Sequence, residues 1–267
     1  MLRRHLLTAP PAIALATIAG AAWSAASDTR LAAAVASPAR SPRNVARDPW
    51  RHPQATLEFW GLKPGMTVVE IDPSGGYWTE ILAPYLKATG GHYIGAVVGD
   101  TAAFKAKFLD PTILSDATIV PFGGGPLAAP GSADMVITAR NIHDWMWTPG
   151  KLEDALAYFH AALKPGGMLG VEEHRADPRP MIPEARDGYV STAWLVDAVD
   201  KAGFTLAARS EINANPKDDK NHPFGVWTLP PTLRSHTKDQ PIPADYDAAK
   251  YVAIGESDRM TLRFRKV

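Results

Sequence analysis

Short apolar runs rich in β-branched residues alternate with segments of helical periodicity from residue 66 to the end of the chain. The strand-like runs are residues 67–71, 92–98, 117–122, 134–139, 168–173, 204–212 and 257–267. In the stretches 151–167 and 191–203 the apolar positions recur every three or four residues, which is typical of a helix with one buried face. This alternation predicts an α/β fold in which helices cover both faces of a mainly parallel sheet.

The last strand-like run differs from the others. Its apolar residues Met260, Leu262 and Phe264 alternate with polar ones, a pattern that favours an antiparallel strand with one wet face. It follows a long polar insertion, residues 213–256, of the kind that closes over a ligand. The polar residues Asn213, Asn215, Lys217, Asp218 and His222 are candidate ligand contacts there, although a solvated loop is the usual role of the charged ones.

The first 26 residues have the three-part pattern of a secretory signal peptide. Arg3 and Arg4 precede an apolar stretch, and small residues follow it and end at Ala26. The apolar core is interrupted by Pro10 and is shorter than the roughly 20 residues that a membrane span needs. We expect cleavage after Ala26, a periplasmic or secreted mature protein, and no stable membrane span after cleavage.

Residues 27–48 mix alanine, serine, proline and arginine without a steady apolar period. This composition predicts a flexible or loosely docked leader. The domain proper is expected to comprise residues 49–267, including the insertion.

Charge and cysteine content exclude several classes of function. Lysine plus arginine equals aspartate plus glutamate, 28 of each, so the balance predicts no nucleic-acid partner and favours a small-molecule ligand. The chain has no cysteine, which excludes disulfides, thiolate metal sites and a cysteine nucleophile.

The stretch "VVEIDPSGGYWTEIL", residues 68–82, predicts a strand, a tight turn and the start of a helix. Ligands of open α/β sheets bind beyond the carboxyl ends of the strands, and glycines such as Gly75 and Gly76 let backbone approach a ligand closely. The turn carries neither G-x-G-x-x-G nor G-x-x-x-x-G-K-[ST], which argues against a dinucleotide enzyme and a phosphate loop.

The order of an acidic residue, four intervening residues, paired glycines and a helix resembles motif I of the class I S-adenosylmethionine-dependent methyltransferases. Residues 132–146, "SADMVITARNIHDWM", and 163–174, "LKPGGMLGVEEH", are similar to the fourth and fifth strands of that family. Residues 257–264 fit its antiparallel last strand. More narrowly, the resemblance extends to an exported bacterial group of predicted methyltransferases through residues 52–71, 75–86, 140–146 and 211–218. It implies a Rossmann-like doubly wound, mostly parallel seven-stranded sheet with an antiparallel last strand, and S-adenosylmethionine as cofactor.

The resemblance also implies a set of cofactor-binding residues. Asp72 and Ser74 stand where the family pattern has its first two glycines, and Asp100 stands near the usual acidic residue for the ribose, where it can equally cap a helix. The residues expected at the cofactor are Glu70, Asp72, Ser74, Gly75, Gly76, Tyr77, Asp100 and Asn141.

Polar residues after the fourth and fifth strands are the candidates for catalysis. Asn141 and His143 lie where the family places residues that face the substrate, and a histidine can accept a proton near neutral pH. His174, at the end of the fifth strand, is a third candidate. We expect no metal, since no spaced set such as H-E-x-x-H occurs.

The residues leave two other classes of function open. One is a binding protein on a methyltransferase scaffold that holds a small ligand and catalyses nothing. The other is a metal-dependent hydrolase, which requires His143, His174 and Glu173 to converge on one ion. The methyl acceptor and the oligomeric state are not encoded in any motif.

Overall fold

One seven-stranded sheet forms the centre of the computed structural model, which describes residues 28–108 and 110–267. Its strands are β1 (Thr67–Ile71), β2 (His92–Val97), β3 (Thr118–Pro121), β4 (Ala133–Ala139), β5 (Leu163–His174), β6 (Phe204–Ser210) and β7 (Arg259–Lys266). The order across the sheet is β3-β2-β1-β4-β5-β7-β6. β7 is antiparallel to β5 and β6, and the remaining pairs are parallel. The predicted Rossmann-like sheet with an antiparallel last strand is confirmed.

Helices lie against both faces of this sheet. They are α1 (Thr29–Val35), α2 (Pro42–Val45), α3 (Asp48–Arg51), α4 (Pro53–Trp60), α5 (Thr79–Ala88), α6 (Thr101–Lys105), α7 (Ile142–Trp145), α8 (Lys151–Ala162), α9 (Thr192–Lys201) and α10 (Ala248–Ile254). Successive strand residues point to opposite faces, so Val68 packs with α1, α4 and α5, whereas Val69 packs with α8 and α9. The sheet is therefore doubly wound, and both of its faces are buried.

The described part of the predicted flexible or loosely docked leader, residues 28–48, is instead folded against the domain. Leu31 of α1 is buried, and the Asp28 carboxylate accepts a hydrogen bond of 2.7 Å from the hydroxyl of Tyr85 in α5. Arg40 forms two hydrogen bonds of 2.7 Å with Asp48. The segment lacks a long apolar period because it consists of short helices, each fastened by a few specific contacts.

The predicted signal peptide lies outside the described residues. Within residues 28–108 and 110–267, no helix combines the length and the apolar character that crossing a bilayer requires.

The insertion, residues 213–256, is ordered by polar contacts both within itself and with the rest of the domain. The Asn215 side chain donates to the carbonyls of Ile254 and Glu256, and Asn213 donates to hydroxyls of Thr56 and Thr261. The polar residues of this segment that were candidate ligand contacts are therefore mainly anchors. The anchors hold residues 226–232 over the carboxyl end of the sheet, where the functional site lies.

Candidate active site

The turn after β1 keeps the backbone shape that glycines usually provide. Asp72 and Ser74 have φ angles of 43° and 48°, in the left-handed region where L-residues are strained. Gly76 follows with a φ of 76°. Such strain persists where the surrounding structure imposes it, most often at functional sites. Asp72 and Ser74, which stand where the family pattern has glycines, therefore change the chemistry of the turn but not the path of its backbone.

A cavity of about 470 Å³ opens beside this turn, within the size range of small-molecule sites. Its walls are the β1 turn, the loop after β4, the end of β5, the segment 43–51 and the insertion. Most of the predicted site residues line it: Glu70, Asp72, Ser74, Gly75, Tyr77, Asn141, His143 and His174.

Two predicted cofactor residues, Gly76 and Asp100, do not line this cavity. A Cβ atom on Gly76 would lie 2.9 Å from the ring of Phe108, so this glycine is required by the space behind the turn as well as by its φ angle. The Asp100 side chain accepts a 2.7 Å hydrogen bond from the amide of Ala102 and so caps α6. Of the two roles expected for Asp100, ribose contact and helix cap, the structure shows the helix cap.

Glu70 lies buried at the floor of the cavity. One carboxylate oxygen accepts hydrogen bonds from the hydroxyls of Thr79, at 2.8 Å, and Tyr93, at 2.7 Å. Burial raises the pKa of Glu70 to about 7, even though both hydrogen bonds favour the ionised form. Its charge state therefore changes close to neutral pH.

Asn141 joins the ends of β1 and β4. Its amide nitrogen donates to the carbonyl of Ile71, at 2.9 Å, and to the hydroxyl of Thr138, at 3.1 Å. Among the described residues, its carbonyl oxygen Oδ1 has no hydrogen-bond donor. That oxygen is a fixed acceptor for a ligand in the cavity.

His143 is held by Glu173 from the neighbouring strand. Oε1 of Glu173 lies 2.9 Å from Nδ1 of His143, so Nδ1 carries the proton. Nε2, which lies 3.5 Å from the exposed carboxylate of Asp144, is the nitrogen that can contact a ligand. Burial lowers the pKa of His143, but the Glu173 carboxylate more than offsets this, and the pKa lies above its ordinary value. This arrangement suits a proton acceptor.

His174 is close to His143, with ring centroids 5.1 Å apart, but differs from it electrostatically. Burial, together with the positive charges of His143 and Arg140, lowers the pKa of His174 well below its ordinary value. Its Nδ1 is hydrogen-bonded to the Ser257 hydroxyl. His174 is therefore a neutral ring that lines the cavity and whose Nδ1 is engaged by Ser257, which leaves Nε2 as the nitrogen for contact with a ligand.

His143, Glu173 and His174 do converge, since one potential ligand atom from each lies within 4.8 Å of the others. The Glu173 oxygens, however, already accept from the amides of Ile142, His143 and His174 and from the His143 ring. A carboxylate with four N–H contacts is an orienting group for His143 rather than a metal ligand.

Motif reasoning missed the arginines of this cavity. Arg47, Arg51 and Arg140 line it, together with Glu256 from the insertion. A signal was present, because arginines recur at residues 43, 47 and 51, four residues apart. That spacing places them on one side of a helical segment, but they lie in the stretch that was interpreted mostly as a leader.

The sequence comparisons give one relative that is described as a methyltransferase. No family model matches the chain. A protein of Synechocystis sp. described as an uncharacterized methyltransferase is 28% identical over 173 residues, which cover 60% of this chain and 76% of the relative.

Three solved structures with which the chain aligns share this fold. A chain from the complex of the Trm112 methyltransferase activator with a proposed methyltransferase of Haloferax volcanii aligns with a TM-score of 0.51 at 18% identity, covering 90% of this chain and 97% of that one. The [4+2]-cyclase SpnF aligns at 0.54, with 16% identity and coverage of 89% and 92%. A proposed sarcosine dimethylglycine methyltransferase of Galdieria sulphuraria gives 0.52, at 9% identity, with coverage of 84% and 86%. The chain has the class I methyltransferase fold.

Proposed function

We propose that the protein is an S-adenosylmethionine-dependent methyltransferase that acts on a small-molecule acceptor. The observation that carries the proposal is the cavity itself, in which the strained turn after β1 faces the histidine base His143. The Synechocystis relative supports it, because that protein is described as a methyltransferase. The fold supports it less specifically, since one of its structural neighbours is a cyclase.

The residues of the cavity suit the amino-acid part of this cofactor. Asp72 offers a carboxylate and Asn141 offers Oδ1, and both can accept hydrogen bonds from an ammonium group. Asp72 would repel a carboxylate, so the ammonium group is the end expected beside the turn. Bound there, the cofactor would supply an electrophilic methyl group for in-line displacement.

The protein's own contribution would be alignment and proton transfer. His143 would receive the acceptor's proton at Nε2, and Glu173 would stabilise the imidazolium that forms. Trp227 of the insertion, whose ring centroid lies 5.9 Å from that of His143, would exclude water from the reacting atoms. Fixing both reactants in one cavity provides the orientation that such a displacement requires.

Calorimetric titration of the purified full chain with S-adenosylmethionine and S-adenosylhomocysteine tests this proposal. We expect saturable binding of both, and weaker binding by an Asp72→Asn variant whose melting temperature matches that of the wild type. The absence of heat and of any thermal shift at millimolar ligand would refute the enzyme assignment.

Further measurements on the same purified protein test the two other functions, a non-catalytic binding protein and a metal-dependent hydrolase. A binding protein without activity would bind these ligands or others but would transfer no labelled methyl group to any acceptor in a metabolite extract. The metal-dependent hydrolase is favoured only by the convergence of His143, Glu173 and His174. Elemental analysis that finds a stoichiometric transition metal would favour that alternative over the methyltransferase.

Export of the protein is a separate proposal, supported by the sequence of residues 1–26. Protein purified from cells would begin after Ala26 and would fractionate with the periplasm or the medium. A chain that still begins at Met1 in the cytoplasmic fraction would contradict it.

A further inference from the structure

Four buried or half-buried arginines meet at one side of the cavity, and within the described residues they form ion pairs with two carboxylates. Glu256 lies 3.0 Å from Nε of Arg51 and 3.1 Å from NH1 of Arg259, and its second oxygen contacts Arg47. Glu172 contacts Arg259. Arg140, the fourth arginine, has no carboxylate within ion-pair distance among the described residues.

Much of the hydrogen-bonding capacity of this cluster is unused. Five buried guanidinium nitrogens lack a partner within the described part of the chain, and they belong to Arg47, Arg51, Arg140 and Arg259. Both terminal nitrogens of Arg51 are among them, and Arg51 is 0% exposed. Buried guanidinium groups are normally paired, because an unpaired buried charge strongly destabilises the fold.

The charges of the neighbouring residues favour the binding of an anion. Burial and the positive charge of Arg140 lower the pKa of Arg51 to about 9. Burial and Arg47 likewise lower the pKa of Arg140. Glu256 is already fully ionised, since the surrounding arginines more than offset its burial and lower its pKa to about 2. Two carboxylates, and the Tyr77 ring whose centroid lies 4.5 Å from the guanidinium carbon of Arg51, therefore offset only part of the charge of the four arginines.

We propose that Arg140 and Arg51 bind an anionic group, a carboxylate or a phosphate, on the methyl acceptor. Arg140 directly precedes Asn141, lies three residues before His143 and shares the cavity with both, so an anion at Arg140 would lie close to the base. Its φ angle of 63° is strained for an arginine, as is common for residues that contact ligands. This inference rests on the proposed function, because it assigns the anion to the acceptor.

The test uses inorganic phosphate and acetate as probes, with calorimetry and thermal shift on the full chain. Wild-type protein should bind one or both saturably at millimolar concentration, and Arg140→Gln should weaken that binding by about tenfold or more. Lys151→Gln is the matched control, because it removes an exposed positive charge that acts on Asp72 and Asp144 without lining the cavity. The control should bind within about twofold of wild type.

Stability provides an independent readout. Removing an unpaired buried charge should leave the melting temperature of Arg140→Gln unchanged or raise it by about 2–4 °C, and Arg140→Lys should recover part of the anion affinity. A large fall in melting temperature would show that Arg140 is structural and would overturn the inference.

Titration of phosphate in the presence of saturating S-adenosylhomocysteine distinguishes an anion site for the acceptor from a site for the cofactor's own carboxylate. For a site that serves the acceptor, phosphate still binds and Arg140→Gln keeps its affinity for S-adenosylhomocysteine. Competition between the two ligands, with that affinity lost in Arg140→Gln, would assign the site to the cofactor's own carboxylate and overturn the proposal. Failure of phosphate and acetate to bind, while S-adenosylhomocysteine binds, refutes the anion site alone. Failure of S-adenosylhomocysteine to bind refutes the proposed function.

Discussion

Oε1 of Glu173 lies 2.9 Å from Nδ1 of His143, across the carboxyl ends of the adjacent parallel strands β4 and β5. The other oxygen of Glu173 accepts from the amide of Ile142 at 2.8 Å, so the carboxylate fixes both the ring and the start of α7. A buried carboxylate in this position determines which ring nitrogen is protonated and how basic the other one is. The Glu173 carboxylate therefore fixes the position of the loop after β4 together with the orientation and protonation of the His143 ring.

Replacing Glu173 by glutamine should lower the pKa of His143, because the variant removes the negative charge that stabilises the imidazolium. In wild type the pKa of His143 lies above its ordinary value, so the charged pair stabilises the fold below pH 6.5 and this contribution is lost as the pH rises through the folded pKa. NMR titration of the histidine ring signals measures the pKa of His143 in the wild type and in Glu173→Gln. Glu153→Gln, an exposed change on α8, is the control. An unchanged His143 pKa in Glu173→Gln would show that the carboxylate is not its partner in solution.

Glu70→Gln should stabilise the protein more in alkaline than in acidic solution. Burial raises the pKa of Glu70 to about 7, so the folded state favours the protonated form, and this contribution is present below pH 4.5 and lost as the pH rises through about 7. At about pH 8 the neutral glutamine avoids a buried negative charge and should add up to about 3 kcal/mol to the free energy of unfolding. Chemical denaturation at about pH 5 and about pH 8 measures the difference. An equal gain at both pH values would rule out ionisation of Glu70 as its cause.

Ser74→Gly should stabilise the turn after β1. Serine at a φ of 48° is strained, and glycine removes that strain, although it increases the entropy of the unfolded chain. The net gain in the free energy of unfolding should be about 0.5–1 kcal/mol. Ser41→Gly is the matched control, because Ser41 has a φ of −65° and glycine relieves no backbone strain there. Thermal unfolding of both variants provides the comparison, and a loss of stability in Ser74→Gly would mean that the side chain has an unseen partner.

The sheet could be predicted from the sequence because its signals are local. The runs that became β1, β2 and β4 are continuous and apolar, as expected for strands buried on both faces, and the alternation of Met260, Leu262 and Phe264 indicated the antiparallel last strand. Most of the predicted ligand residues line one cavity because the carboxyl ends of parallel strands meet at one edge.

What could not be predicted depends on contacts between distant segments. Arg51 and Glu256 are separated by 205 residues, and neither belongs to a recognised motif. The role of Glu173 as a partner of His143 requires the register of β4 against β5, which the sequence does not reveal. The helices at residues 29–51 were missed because short helices held by a few specific contacts have little periodicity.

We predict that Asp218 holds the insertion, residues 213–256, against the rest of the domain. It accepts hydrogen bonds from the Tyr189 hydroxyl at 2.9 Å, from the His222 ring at 2.8 Å and from the backbone amide of Asp258 at 2.8 Å. These contacts, chiefly the one with His222, more than offset burial and lower its pKa, so the stability that Asp218 contributes is present above pH 3.8 and lost as the pH falls further. Asp218→Ala should reduce the free energy of unfolding by about 3 kcal/mol, because several buried donors lose their acceptor.

The neighbouring aspartate is the control for this prediction. Asp219 is exposed, and Asp219→Ala should change the free energy of unfolding by less than about 0.5 kcal/mol. Hydrogen exchange should show faster opening of residues 213–256 in Asp218→Ala, with unchanged protection in β1 and β4, because the insertion opens locally before the sheet unfolds. Uniformly faster exchange over the whole chain would mean that Asp218 supports the domain as a unit and that the insertion does not move by itself.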